Sequence, residues 1–217
     1  MAVYAPPPDN GLAVVFADDA LVVVDKPAGL LSVPGRGADK QDCLLSRAQA
    51  AFPDALTVHR LDMSTSGLLL LARGPAMQRA LFRLFRERRV DKRYVAEVEG
   101  CLADDGGEVD LPLICDWPNR PRQKVDFAIG KRSLTRFRTI WRDPSGLSSR
   151  VELEPVTGRS HQLRVHLAAL GHPIIGDELY GSGSLDSDQR LRLHATDLRF
   201  DHPVNGQALH FHREAPF

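Results

Sequence analysis

The segment HRLDMSTSG, residues 59–67, sets one carboxylate, Asp62, among small hydroxyl residues and a glycine, just ahead of the apolar run Leu68–Ala72. A carboxylate at the mouth of a buried strand can act as a nucleophile or as a base. The plainer alternative is a turn-capping Asp that bonds the backbone near Ser64 or Thr65, and spacing alone favours it. A second segment, VTGRSHQLRVH, sets Arg159 at a strand-to-helix junction, where a guanidinium can reach sideways into a cleft. Paired with Asp62 it would hold that carboxylate ionised and oriented; otherwise it is a surface Arg at a helix start. Tyr94, in KRYVAEV, lies on an alternating strand. It either points into the same cleft or sits at the edge of the core.

Other chemistries lack their residues. The chain has no GxxxxGK[ST] phosphate cradle and no third glycine after Gly35-Arg36-Gly37 to complete a dinucleotide fingerprint. His161 and His166 are five residues apart, about 140° around a helix, and do not form the pair of an HExxH zinc site. There is no GxSxG nucleophile elbow. No metal and no cofactor is expected. A glycosidic hydrolase would want two carboxylates set across the bond, and only Asp62 has such a setting. A non-catalytic binding module would tolerate the loss of Asp62, which is present.

Net charge is zero, with 28 basic and 28 acidic residues. The average hides two basic runs, Arg79–Arg93 and Arg120–Arg142, separated by an acidic stretch holding Asp104, Asp105, Glu108 and Asp110. Such clusters either form a polyanion-binding face on a neutral protein or are two solvated faces.

The elements that must position these residues follow from patterning. LAVVFADDALVVVDKPAG predicts two short strands and a turn, and CLLSRAQAAF a short helix stopped near Pro53. Leu68–Ala72 reads as a strand buried on both faces. Met77, Ala80, Leu81, Leu84 and Phe85 recur at helical spacing, with Arg79, Arg83 and Arg86 largely on another side. RYVAEVEG, TRFRTIW and SRVELEPV read as strands, CDWPNRPRQK as a loop, and SHQLRVHLAAL as an amphipathic helix ended by Gly171 and Pro173. RLHATDLRF and QALHFHR read as a closing strand pair. Connections too short for crossover helices predict an α+β fold, a mixed and largely antiparallel sheet with helices packed on it.

At 217 residues the chain is expected to form a single domain, 1–217, with residues 1–11 as a loose arm. No apolar run reaches the roughly 18 residues of a membrane span, and the N-terminus lacks a signal-peptide pattern. Three cysteines without a CxxC pair fit a reducing cytoplasm.

Taken together, HRLDMSTSGLLLLAR, KRYVAEVEG, TGRSHQLRVHLAALGHPIIGDELYG and VDKPAGLLSVPG resemble, in the same order, the motif set of the RluA family of pseudouridine synthases. LLSVPGR and LPLICDWPNRP resemble its short branch, which carries no S4 RNA-binding domain and handles both large-subunit rRNA and tRNA. The resemblance implies a pseudouridine synthase fold and isomerisation of uridine. It implies Asp62 as the essential carboxylate, Arg159 as its partner, and Tyr94 at the uracil. Leu163, one helical turn after Arg159, would be an apolar wall under the base. Arg60 would fill the gap left by a flipped base, or is a structural Arg under the loop. Arg120, Arg122 and Lys124, with the basic helix, would meet phosphates of an rRNA hairpin loop or a tRNA anticodon stem-loop. The enzyme is expected to act as a monomer.

Overall fold

The computed structural model describes residues 4–182 and 190–217. Contacts divide the chain into two compact units. The first holds residues 1–92 and 194–216, the second residues 93–193 with Phe217.

In the first unit β1 (Val14–Ala17) and β2 (Leu21–Lys26) form a hairpin, and β2 pairs antiparallel with β4 (Ser66–Arg73). Between them lie α1 (Leu44–Ala51) and β3 (Ala55–Thr57). Helix α2 (Gly74–Arg86) follows β4 directly. From Leu21 to Val24 and from Leu68 to Leu71 every residue is buried, which is why the sequence there is a run of branched apolar side chains without alternation. Leu21, Val23, Leu68, Leu70 and Ala72 share one core with Leu81 and Leu84 of α2.

The second edge of β4 is divided between two partners. β11 (Leu193–Asp201) runs parallel to it at Ser66 and Gly67, and β3 runs antiparallel to it from Leu71 to Arg73. Further along, β11 pairs antiparallel with β12 (Ala208–His212). Gly67 has no substitute at this junction: its φ is 108°, and a Cβ would stand 2.4 Å from the Ala195 carbonyl oxygen.

The second unit begins within β5 (Asp91–Glu99). β6 (Gly106–Asp110) is followed by a hairpin of β7 (Leu113–Cys115) and β8 (Gln123–Val125). β9 (Leu134–Arg142), β10 (Ser148–Pro155) and α3 (Gln162–Ala169) complete it. The sheet order is β5-β10-β9-β6, all antiparallel. With its few short helices the chain has the α+β fold expected of it.

Several local expectations are corrected. β3 and β6 are too short or too polar to show a strand pattern. CDWPNRPRQK is the tip and second strand of a hairpin rather than a free loop. The last helix is not amphipathic: Gln162 through Leu167 are all buried. The Tyr4 hydroxyl bonds Asp42 and Leu31, and Arg47 holds the Pro7 carbonyl at 2.7 Å.

Candidate active site

Asp62 sits in a tight turn, its carbonyl accepting the Thr65 N–H at 3.1 Å. The backbone on both sides is fixed by residues 26–32. The Ser32 hydroxyl donates to the Leu61 carbonyl at 2.7 Å and accepts the Leu61 N–H at 3.1 Å. Gly29 donates its N–H to the Met63 carbonyl at 2.8 Å. Lys26, fully buried at the end of β2, donates to the carbonyls of Met63, Pro27 and Leu30 at 3.0, 2.9 and 2.7 Å. Burial pushes the Lys26 ammonium down to about 7, and the Asp62 carboxylate opposes that fall. Three carbonyls match the three N–H groups of the charged amine. A buried cation and a buried hydroxyl thus hold the turn that carries the carboxylate.

Two residues before the turn's flank at Leu61, His59 stacks on Phe85 with ring centroids 4.7 Å apart. Its Nε2 accepts the Leu70 N–H at 2.9 Å. That N–H lies where β4 has passed its partner β11 and not yet met β3, so His59 fills a gap in the ladder. Burial, with the Lys92 charge adding to it, pushes His59 down to about 3. A neutral ring with a free Nε2 lone pair is what the Leu70 bond requires. Arg60 is exposed and has no carboxylate partner among the described residues.

In the second unit Arg159 is exposed, and its Nε donates to the Arg132 carbonyl at 3.2 Å. The loop carrying it is anchored by buried Gln162. The Gln162 Oε1 accepts the Thr157 hydroxyl at 2.7 Å and the Arg159 N–H at 3.1 Å. Its Nε2 donates to the Leu134 carbonyl at 2.9 Å and to the Thr135 hydroxyl at 3.0 Å. Every bonding position of that amide is used. Because α3 starts at Gln162, Leu163 is not one helical turn past Arg159, as the sequence suggested. His161, at φ 54°, bends the chain between them. Leu163 is buried, and Tyr94 is buried opposite Leu153.

The Tyr180 hydroxyl joins two predicted segments. It accepts the Gln123 N–H at 2.7 Å and lies 2.8 Å from His161 Nδ1, which ties the arginine hairpin to the Arg159 junction. Arg122 lies over the Tyr180 ring at 5.5 Å, and Arg120 over Trp117 at 3.9 Å. Lys124 is 3.9 Å from Asp126. Behind Tyr180, Arg164 forms a buried two-point pair with Asp177 at 2.7 and 2.6 Å. Lys26, Ser32, Gln162 and Tyr180 were not singled out as site residues, although all four stand in the motif segments. The only signal was their place within those motif segments.

The charge runs separate in the same way. The acidic stretch folds onto the second basic run: Arg136 meets Glu108 at 2.8 Å, Arg142 meets Asp105 at 2.8 Å, and Arg132 meets Asp110 at 3.6 Å. Arg138 meets Glu152 of β10 at 3.2 Å. These arginines form a sheet face on which each is paired with an acid. On α2, Arg79, Arg83 and Arg86 stay exposed opposite the buried Leu81 and Leu84, with no carboxylate partner among the described residues. Among those residues no group of three or more His, Cys, Asp or Glu side chains could hold a metal, and no helix is long and apolar enough to cross a membrane.

Comparison with known proteins adds to this geometry. The profile of a family described as RNA pseudouridylate synthase matches residues 20–169. The dual-specificity RNA pseudouridine synthase RluA of Yersinia pestis is 51% identical over 95% of this chain and 100% of its own. Its namesake in Haemophilus influenzae is 48% identical over 99% of this chain and 98% of its own. The structure of human RNA Pseudouridylate Synthase Domain Containing 1 superposes with a TM-score of 0.80 at 32% identity, covering 98% of this chain and 87% of that one. The motif order, the Asp62 turn and a family match spanning most of the sequence lead to one assignment: the chain belongs to the RNA pseudouridylate synthase family, isomerases that convert uridine in RNA to pseudouridine.

Proposed function

We propose that Asp62 is the catalytic carboxylate, and that the RNAs modified are hairpin loops of large-subunit rRNA and tRNA anticodon stem-loops. The observation that carries the first part is the clamping of the Asp62 turn from both sides by Ser32, Gly29 and Lys26. A carboxylate that merely caps a turn needs no buried cation and hydroxyl fixing the backbone around it. The dual target rests on the likeness to relatives named dual-specificity synthases.

The reaction breaks the N1–C1′ bond of uridine, turns the base and joins C5 to C1′, with a proton leaving C5 and one gained at N1. Atoms and electrons balance within the substrate. Asp62 acts at the sugar or base as nucleophile or base. Arg159, Tyr94 and Leu163 are carried over as contributors from their motif positions. Arg60 is exposed and two residues from Asp62, free to enter the stack when the base leaves it, a step costing a few kcal/mol. Arg120, Arg122, Lys124 and the exposed arginines of α2 meet phosphates. We further propose that the enzyme works as a monomer in the cytoplasm.

The test is Asp62→Asn, which keeps the shape of the side chain and removes its charge and basicity. Tritium release from 5-tritiated uridine RNA is expected to stop while RNA binding persists, since phosphate contacts supply most of the affinity. Turnover near wild type would exclude Asp62 as the catalytic group. Release of free uracil by the wild-type protein would make it a hydrolase instead.

A further inference from the structure

Among the described residues Arg88 and His161 are the non-glycine residues at positive φ, Arg88 at 56°. Arg88 stands just past the end of α2, where glycine is the usual left-handed residue. An L-residue there costs on the order of 1 kcal/mol, and such strain is a pointer to function. The strain delivers a guanidinium to an open depression of about 560 Å³, which Arg88 lines with Arg89, Arg199, His210, Asp91 and Asp201.

The charges there are unevenly committed. Asp201 is engaged by Arg89 at 3.2 Å, and His210 reaches Asp197 at 2.8 Å. Arg88 and Arg199 are exposed, and neither has a carboxylate partner among the described residues. By contrast, the arginines of β9 described above are paired with acids. The aromatic lining residue, Phe200, is buried and offers no face on which a base could stack. Two uncommitted planar guanidiniums without a stacking platform suit a phosphate backbone rather than unstacked bases.

The position in the fold narrows the ligand further. Ser66, four residues after Asp62, pairs with His194 at the start of β11. Arg199 lies five residues along that strand, about 17 Å away at the rise of a β-strand. Arg199 thus stands away from the turn that carries Asp62, where it would meet parts of a bound RNA other than the reacting base.

We propose that this depression is a second phosphate-binding site, which takes the backbone of the substrate hairpin's stem at Arg88 and Arg199. The proposal rests on the reading that the loop reacts at Asp62. Shape and phosphate contacts are the usual means of holding duplex RNA, so the site would grip stems of any sequence.

The test compares two hairpins with the same loop, one with a long stem and one cut to a few base pairs, for wild type, Arg88→Gly and Arg199→Ala. Glycine is at ease at φ 56°, so Arg88→Gly is expected to melt no lower than wild type. For either variant kcat/KM should fall about five- to tenfold more on the long hairpin than on the short one. The salt dependence of long-hairpin affinity should lose about one unit of slope per arginine removed. Equal losses on both hairpins, or none on either with an unchanged slope, would overturn the proposal. Should Arg88→Gly fail to fold, Arg199→Ala alone decides the matter from an exposed strand position. Filter binding of the long stem reports on the depression even with Asp62→Asn, so failure of the catalytic assignment and failure of this site give different results.

Discussion

The Ser32 hydroxyl and the Leu61 backbone are bonded twice, with the hydroxyl accepting the amide N–H at 3.1 Å and donating to the carbonyl at 2.7 Å. Leu61 directly precedes Asp62, so a buried side chain 29 positions away sets the direction in which the turn that carries Asp62 leaves its flank. Ser32→Ala strips both partners from buried backbone groups, a loss of about 1–3 kcal/mol. We expect kcat to fall about tenfold, the equivalent of 1.4 kcal/mol in the barrier, with KM for RNA within about twofold. Steady-state kinetics on a short hairpin checks this. A lower melting point with unchanged kcat would show that Ser32 supports the fold and not the carboxylate.

Lys26 makes the stability of the fold depend on pH. Its folded pKa is lowered to about 7 from 10.5. Between those values the unfolded chain holds a proton that the folded one lacks, so stability rises with pH across that window. In Lys26→Met the rise is absent, and the wild type should gain on the variant as pH goes from 7 to 9. Urea midpoints at several pH values measure the gap. A flat gap would mean that the three carbonyls and Asp62 keep the amine charged throughout.

His59 is tied to Leu70 as Ser32 is tied to Leu61. His59→Phe preserves a ring against Phe85 but orphans the Leu70 N–H, at a cost of about 1–3 kcal/mol. The folded pKa of about 3 lies below the ordinary value of 6.5, so the wild type loses stability as pH falls between them. The advantage of wild type over the variant should therefore shrink from pH 7 to pH 4.5. Denaturation at those two pH values tests it, and a gap that widens on acidification contradicts the assigned bond.

Tyr180→Phe removes only the hydroxyl that joins Gln123 to His161, leaving the ring beside Arg164 and Arg122. The arginine hairpin then loses its tie to the Arg159 junction. KM for RNA should rise about fivefold, in line with one lost hydrogen bond of about 1 kcal/mol. Melting should change by only a few degrees for a chain of this size. An unchanged KM would leave the hydroxyl as a purely structural bridge.

The sequence disclosed the long elements and the motif residues for one reason: both are local. Leu68–Ala72 is apolar throughout because both faces of β4 are covered, and the arginines of α2 fall opposite its leucines by helical geometry. What stayed hidden is set by partners far along the chain. Nothing near Ser32 announces Leu61, and nothing near Gln162 announces Leu134 or Thr135. The fate of the second basic run was hidden for the same reason. The arginines of its β9 part are paired with acids, and Arg136 is among them because β6 pairs with β9 in a register that sets Glu108 against it. The short, polar β6 shows no strand pattern from which that register could be read.

That difference between the two basic runs yields the last expectation. Arg83 stands on an exposed helix face with no carboxylate partner among the described residues, whereas Arg136 lies between Glu108 at 2.8 Å and Glu154 at 3.4 Å. A guanidinium already bonded to two carboxylates has less to offer a phosphate, and its neighbours repel one. Arg83→Ala should therefore weaken RNA binding about threefold or more and lower the salt slope by about one, whatever the RNA sequence. Arg136→Ala should leave affinity within about twofold, because its guanidinium is already committed to two carboxylates and the exposed pairs it loses are screened by solvent. Binding isotherms at three salt concentrations separate the two. Equal effects from both arginines would mean that local pairing does not decide which basic residues meet RNA, and that the exposed face of α2 has no special part in holding it.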